Sequence, residues 1–319
     1  MSTKIEYADE TLNPFTGCSP CSPGCENCYA ARAASGRFLK DKPLYKGLAV
    51  NGKWTGEVRT CLDINRPDIL EKPLHWKKPR RIFWGDMGDM FHEKVPFDTY
   101  WPGKLLTKMF GVMLLSPQHD HLILTKRIKK AANIINDDLK RVISGYLWEK
   151  NRYREVPNGL SEFQLERLKE FDGGKLWPIP NLHFGVTICN QAEANEKIPT
   201  LLQIPAAHRW ISIEPMLGPI DLENVTMALP SGACVRGTVL GSNGRYFTPG
   251  GAKGIGLDGV VLGCESGPKR RPCELDWMID IVRQCKTAGV SVFVKQVNIN
   301  GRVSHEMSDW PEELRVREG

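Results

Sequence analysis

The sequence predicts a mixed α/β protein built on a parallel sheet, read as a β/α barrel, in part or in full, with two insertions. Three observations predict it. Short runs of β-branched and aromatic residues alternate with helical stretches about six to eight times along the 319 residues. No long segment is all-helix or all-strand. Polar residues gather just after the strand segments, and in a β/α barrel those positions share the C-terminal rim, where chemistry is done.

The length suits one large barrel or two smaller domains. We expect a single domain over 1–319, with insertions at about 141–180 and 225–258 and a peripheral polar tail over 298–319. Apolar residues make up 41% and charged residues 25%, as in an ordinary soluble globule. No apolar run is long enough to span a bilayer, and the opening MSTKIEYADE has no signal-peptide core, so no membrane partner is expected. Ten cysteines without a secretory signal point to a reducing compartment, the cytoplasm. A net charge of +6 permits an anionic partner without demanding one.

In chain order, Tyr7–Pro14 reads as a first strand leading directly into a cysteine-rich loop. Asn27–Leu39 has helical character and no proline. Lys40–Thr55 reads as surface loop and Glu57–Ile64 as a strand by its alternation. Asn65–Trp76 is a helix opened by Pro67. Arg80–Trp84 is a compact strand followed by a glycine-rich turn, Gly85–Glu93. Tyr100–Leu115 reads as a helix, His121–Thr125 as a strand, and Ile128–Leu139 as a helix. Arg141–Pro180 is a charged, mostly helical insertion. Leu182–Thr187 and Arg209–Ile213 are strands on either side of a helix, Gln191–Leu202. Val225–Asp258 is a glycine-rich excursion bearing Arg236, Arg245 and Lys253. Gly259–Gly263 is a strand, Glu274–Ala288 a helix and Val290–Lys295 the last strand.

The loop CSPCSPGCENCY, Cys18–Tyr29, carries four thiols within eleven residues, spaced C-x2-C-x3-C-x2-C. Its prolines and glycine oppose regular structure. Thiols this dense in a reducing compartment indicate a metal. Zinc accepts four thiolates but usually separates its cysteine pairs by a dozen residues or more, whereas iron–sulfur cubes take successive thiolates from one short loop. Cys21, Cys25 and Cys28 read C-x3-C-x2-C, which resembles the cluster loop of radical S-adenosylmethionine (SAM) enzymes. That resemblance implies a 4Fe–4S cluster with SAM at the iron that lacks a protein ligand. It also implies a barrel, often partial, with the cluster loop after its first strand.

A second resemblance covers most of the chain. The stretches NPFTGCSPCSPGCENCYA, FWGDMGDMFHEKVP, LILTKR, FGVTICNQ, IPTLLQIPAAHRWISIEPMLGPIDL, VVLGCESGP and CKTAGVSVFVKQ, in this order, resemble the phage Gp37/Gp68 family of three-Cys-motif proteins. The resemblance implies a radical-SAM-like enzyme of phages and prophages. Its cysteine pattern, C-x6-C-x2-C, falls on Cys18, Cys25 and Cys28, so Cys18 and Cys21 compete for the third ligand position. The general loop has an aromatic residue where this chain has Asn27; Tyr29 is the replacement for the adenine contact.

The other candidates stand at strand ends. Gly85, Asp86 and Asp89 offer carbonyls and carboxylates to the SAM ammonium; the bland alternative is a turn with a capping aspartate. Lys126 and Arg127 fit the SAM carboxylate or a phosphate, and a positive pair is unfavourable at a helix N-terminus unless it has a function. Glu214 fits ribose hydroxyls or a substrate amine. Glu265 and Lys295 are assigned to catalysis, and Cys264 to hydrogen-atom donation. Cys61, Cys189, Cys234, Cys273 and Cys285 read as packing residues. Lys77, Lys78, Arg80 and Arg81 beside Trp76, with Lys269–Arg271, form a basic face for an anionic ligand or a solvated surface.

These features lead to a functional expectation: cleavage of SAM to a 5′-deoxyadenosyl radical that abstracts hydrogen from a substrate, a hypermodified thymine-type base in phage DNA, followed by rearrangement. A flavodoxin- or ferredoxin-type electron donor and a DNA or nucleotide substrate are the expected partners. The rivals are a radical SAM lyase that repairs DNA lesions and a non-enzymatic, zinc-stabilised nucleic-acid-binding protein.

Overall fold

The computed structural model describes residues 5–95, 105–152, 160–228, 234–241 and 256–318. The N-terminal part forms β1 (Glu10–Leu12), β2 (Phe15–Thr16), α1 (Tyr29–Ser35), β3 (Ala49–Val50), β4 (Lys53–Trp54), β5 (Arg59–Thr60), α2 (Asp68–His75) and β6 (Arg81–Trp84). The middle forms α3 (Leu105–Leu115), β7 (Asp120–Thr125), α4 (Ile128–Ile134), α5 (Asp137–Arg152), α6 (Glu162–Asp172), β8 (Leu182–Thr187), α7 (Gln191–Gln203) and β9 (His208–Ile213). The last third forms β10 (Val225–Ala228), β11 (Cys234–Gly237), β12 (Gly259–Gly263), α8 (Leu275–Ala288), β13 (Ser291–Ile299) and β14 (Arg302–Ser304).

Eight strands share one sheet in the order β1-β6-β7-β8-β9-β12-β13-β14. Every neighbouring pair is parallel except β13 with β14. Among the described residues no ladder joins β1 to β13, so the sheet is open. It is nevertheless strongly curled. Tyr7 lies 6.0 Å from the ring of Phe83 on β6 and 5.8 Å from that of Phe293 on β13. Those strands are five places apart, about 24 Å in a flat sheet at the usual strand spacing. Contact through one tyrosine requires the edges to bend toward each other. Ile5, Tyr7, Leu122, Trp210 and Val261 complete this small apolar cluster inside the curl, and the main core lies between the sheet and the helices outside it.

Local signals account for most boundaries. Ser161 and Gln164 form a capping box on α6. Asn190 caps α7 through the Glu193 N–H at 3.0 Å. Gly289, at φ +68°, ends α8 in the left-handed region.

Several expected elements differ. The helix expected over 27–39 is only Tyr29–Ser35, with Gly36 as its C-cap. The loop 40–55 contains the hairpin β3–β4, turned by Asn51 and Gly52 at positive φ. The strand over 57–64 shrinks to Arg59–Thr60, because Asp63 Oδ2 accepts from both the N–H and the hydroxyl of Thr60 and bends the chain. The helix over 128–139 divides at Asn136, whose side-chain oxygen accepts the N–H groups of Asp138 and Leu139 and starts α5. The tail is not peripheral: β14 pairs with β13, and Trp310 and Leu314 are buried. The start of the helix expected at Tyr100, together with Arg245 and Lys253, lies outside the described residues. No described helix is long and apolar enough to cross a membrane.

Candidate active site

The ends of the parallel strands surround a cavity of about 180 Å³. All but one of the fourteen candidate residues line it: Cys18, Cys25, Cys28, Tyr29, Gly85, Asp86, Asp89, Lys126, Arg127, Glu214, Cys264, Glu265 and Lys295. The exception is Cys21, which is exposed. Tyr7 and Phe83 also line it, so its floor is the aromatic cluster inside the curl.

The cysteine loop is held from both ends by arginines far away in sequence. Arg127, buried behind the loop, donates to Ser19 O at 2.8 Å and Ser19 Oγ at 2.9 Å, and its Nη1 lies 3.5 Å from Cys18 Sγ. On the other side Arg271 donates to Pro23 O and Glu26 Oε2, both at 3.0 Å, and clasps Glu265 through Nε and Nη2 at 3.0 and 2.5 Å. Asn27 Nδ2 donates to the same Glu265 at 3.0 Å. Inside the loop, Ser22 Oγ accepts the Gly24 N–H. Gly24 is packed so tightly on Cys189 that a Cβ there would stand 2.5 Å from its sulfur.

Two expected free carboxylates are therefore engaged. Asp89 accepts from Thr125 Oγ1 (2.8 Å), Phe91 N (3.0 Å) and Lys126 N (2.9 Å), with Arg127 at 3.5 Å. It joins the turn after β6 to the end of β7. Glu265 joins the end of β12 to the cysteine loop, and Arg271 holds its carboxyl below the usual range against the opposing effect of burial. Both carboxylates line the cavity and are at the same time hydrogen-bonded within the protein.

The remaining charges face the cavity. Asp86 accepts from Asn13 Nδ2 at 2.5 Å, and burial raises its pKa. Its carbonyl accepts the Tyr29 hydroxyl at 2.9 Å, leaving that ring half exposed at the mouth. Glu214 pairs with Lys295 at 2.5 Å. Burial works against the Lys126 ammonium, but the sulfurs of Cys25, Cys189 and Cys28 outweigh it and its pKa is raised. The interaction between the Cys21 and Cys25 thiols lowers Cys25 and raises Cys21. Burial pushes Cys18 and Cys264 up to about 12, keeping both as thiols at neutral pH. Among the described residues, no three His, Cys, Asp or Glu side chains form a group that could hold one metal ion.

Gly85 is required by its surroundings. It sits at φ +87°, and a Cβ would stand 2.1 Å from Phe15 Cζ. Sequence reading gave no role to Asn13 and Ser19, although both lie in the stretch NPFTGCSPCSPGCENCYA, nor to Tyr7, which lies outside any motif. It placed Arg271 on a general basic face. That face is partly neutralised, since Arg80 pairs with Glu10 as Arg271 does with Glu265 and Glu26. Cys61, Cys189, Cys273 and Cys285 are buried as expected, but Cys234 is exposed.

Residues 2–310 match a family model described as "Protein of unknown function (DUF5131)". The chain belongs to the DUF5131 family. Comparisons of this DUF5131 chain with curated proteins and with solved structures found no match.

Proposed function

We propose that this DUF5131 protein is a radical SAM-type enzyme, its curled open sheet a partial β/α barrel of that type. The supporting observation is the convergence of Cys18, Cys25 and Cys28 on one cavity with Asp86, Glu214, Lys295 and Lys126. The donor set suits a 4Fe–4S cluster: three thiols lining one cavity with two cations, Lys126 and Arg127, to offset the negative charge of a thiolate-bound cube. The three cysteines would hold the cluster, and Cys21 would stay outside the ligand set.

When bound, the cluster supplies an electron for reductive cleavage of SAM to a 5′-deoxyadenosyl radical. The chain's own groups bind and orient. Asp86 and the Glu214–Lys295 pair offer anionic oxygen to an ammonium, and Lys126 offers a cation to a carboxylate. Tyr29 presents an open ring face at the mouth. Cys264, buried and protonated, keeps an S–H beside the cavity for hydrogen-atom return. Tyr7 and Phe83 add apolar ring surface to the cavity lining, which favours exclusion of water. We take the substrate to be a modified, thymine-type base in DNA, in keeping with the phage Gp37/Gp68 resemblance, and the electron donor to be a small flavodoxin- or ferredoxin-type protein.

The test is anaerobic reconstitution with iron and sulfide, followed by SAM and dithionite. The proposal expects about four irons per chain, visible absorbance and release of 5′-deoxyadenosine. A colourless protein with one tightly held zinc overturns it in favour of a structural metal site.

A further inference from the structure

The positive charge of this chain is concentrated beside the cavity. Residues 29–59 contain seven Lys/Arg and two Asp/Glu, a net +5 against +6 for the whole protein. Arg37, Lys40, Lys42, Lys46 and Lys53 are all exposed, and none makes an ion pair among the described residues. Of the two acids, Glu57 is engaged with Lys94 at 2.5 Å. Arg59 donates to the Pro43 and Lys46 carbonyls, so no carboxylate offsets it.

The same stretch displays apolar faces. Of the five large apolar side chains exposed among the described residues, three lie here: Tyr29 at 47%, Phe38 at 73% and Val50 at 56%. Arg37 sits over the Phe38 ring, 4.5 Å from its centroid. Trp54 lines the cavity mouth with Tyr29.

The stretch is an ordered platform. The β3–β4 hairpin packs on α1, and the Gly52 N–H donates to Ser35 Oγ at 3.0 Å. Arg32 of α1 donates to Ser266 O at 3.1 Å, which ties the platform to the loop after β12.

We propose that residues 29–59 form a docking surface for single-stranded nucleic acid and deliver one base to the cavity. Unpaired cations alone would fit any polyanion. Exposed aromatic rings among those cations are what unpaired bases require, because each base has a face to stack and each linkage a phosphate to neutralise. A duplex hides its base faces, and an acidic peptide has none to offer. The inference deepens the substrate class in the proposed function, and its test does not depend on radical chemistry.

The test is fluorescence anisotropy of the full-length protein with a short labelled oligodeoxynucleotide, its RNA counterpart, its duplex, and polyglutamate as competitor. The expected result is single-strand binding whose log affinity falls linearly with log salt. Neutralising Arg37, Lys40, Lys42, Lys46 and Lys53 together to Gln should weaken it by about tenfold or more, and reduce the slope by about 0.7 for each phosphate no longer neutralised. Phe38→Ala should weaken it by about fivefold or more with the slope unchanged. DNA and RNA share the recognising chemistry: tighter RNA binding keeps this surface and removes the DNA assignment. Unchanged affinity in both folded variants, equal binding of the duplex, or equal competition by polyglutamate overturns the proposal. Loss of this binding leaves the 5′-deoxyadenosine test standing, and failure of that test leaves this one readable.

Discussion

Arg271 grips Glu265 with two donors, at 3.0 and 2.5 Å, and extends a third to the carbonyl of Pro23 inside the cysteine loop. One guanidinium therefore anchors the loop, 248 residues away in sequence, to the end of β12. Removing it leaves a 5% exposed carboxylate without its cation. Because Arg271 itself is partly solvated, Arg271→Ala should cost about 2–3 kcal/mol, read as a lower denaturant midpoint. The reconstituted variant should also retain less iron. Glu265 has a depressed folded pKa, so its stabilisation is present above the unfolded carboxylate range and is lost as pH falls through the folded value. The wild type should lose this contribution on acidification, and Glu265→Gln should not.

Cys18, Cys25 and Cys28 line the cavity, whereas Cys21 is exposed. Cys18→Ala, Cys25→Ala and Cys28→Ala should each abolish the visible absorbance and 5′-deoxyadenosine formation, whereas Cys21→Ala should keep the absorbance. Iron content per chain in the four variants checks the ligand set directly. An intact cluster in Cys18→Ala would reassign that ligand.

Lys126 should act on cofactor binding. Lys126 lines the cavity with Cys25 and Cys28, and against the effect of burial the cysteines favour its charged form. Lys126→Met should weaken SAM binding by about tenfold or more, the effect expected for one charge-assisted hydrogen bond. Equilibrium dialysis with labelled SAM measures it, with iron content as the control for cluster retention.

Gly85 and Gly47 make a paired test of the turn after β6. Both lie at positive φ, but a Cβ at Gly85 meets Phe15 Cζ at 2.1 Å while one at Gly47 meets nothing within 4 Å. Gly47→Ala should cost about 1 kcal/mol of backbone strain. Gly85→Ala should cost about 3 kcal/mol or more, because Phe15 must also move. Urea midpoints of the two variants give the comparison.

His121 is buried as a neutral ring between Trp84 Nε1 at 3.0 Å and Ser116 Oγ at 3.0 Å. Burial lowers its pKa to about 3. The unfolded chain protonates it near 6.5, so its stabilisation is complete above that pH and declines toward pH 3. The slope should be about 1.4 kcal/mol per pH unit from this group alone. His121→Gln should remove one proton from the pH dependence of unfolding in that window.

Much of this protein was legible in its residues. The strands Leu182–Thr187 and Gly259–Gly263 stand where their β-branched and aromatic runs placed them. Thirteen of the fourteen candidate residues share one cavity, because strand ends in a parallel sheet meet at one edge whatever the helices between them do. The short strand Arg59–Thr60 and the break at Asn136 were less legible, since a single side-chain hydrogen bond outweighed the periodic pattern in each.

The sequence by itself determined the alternation of elements, the rim they share and the residue types gathered on it, because those follow from local periodicity and short-range spacing. Only the tertiary structure decided that Cys18 lines the cavity and Cys21 does not, that Asp89 is hydrogen-bonded by Thr125 and the Phe91 and Lys126 N–H groups beside Arg127, and that Glu265 is held by Arg271 and Asn27. The physical reason is that charge neutralisation and exposure depend on partners such as Arg127 and Arg271, which lie 108 and 248 residues from the loop positions they bind.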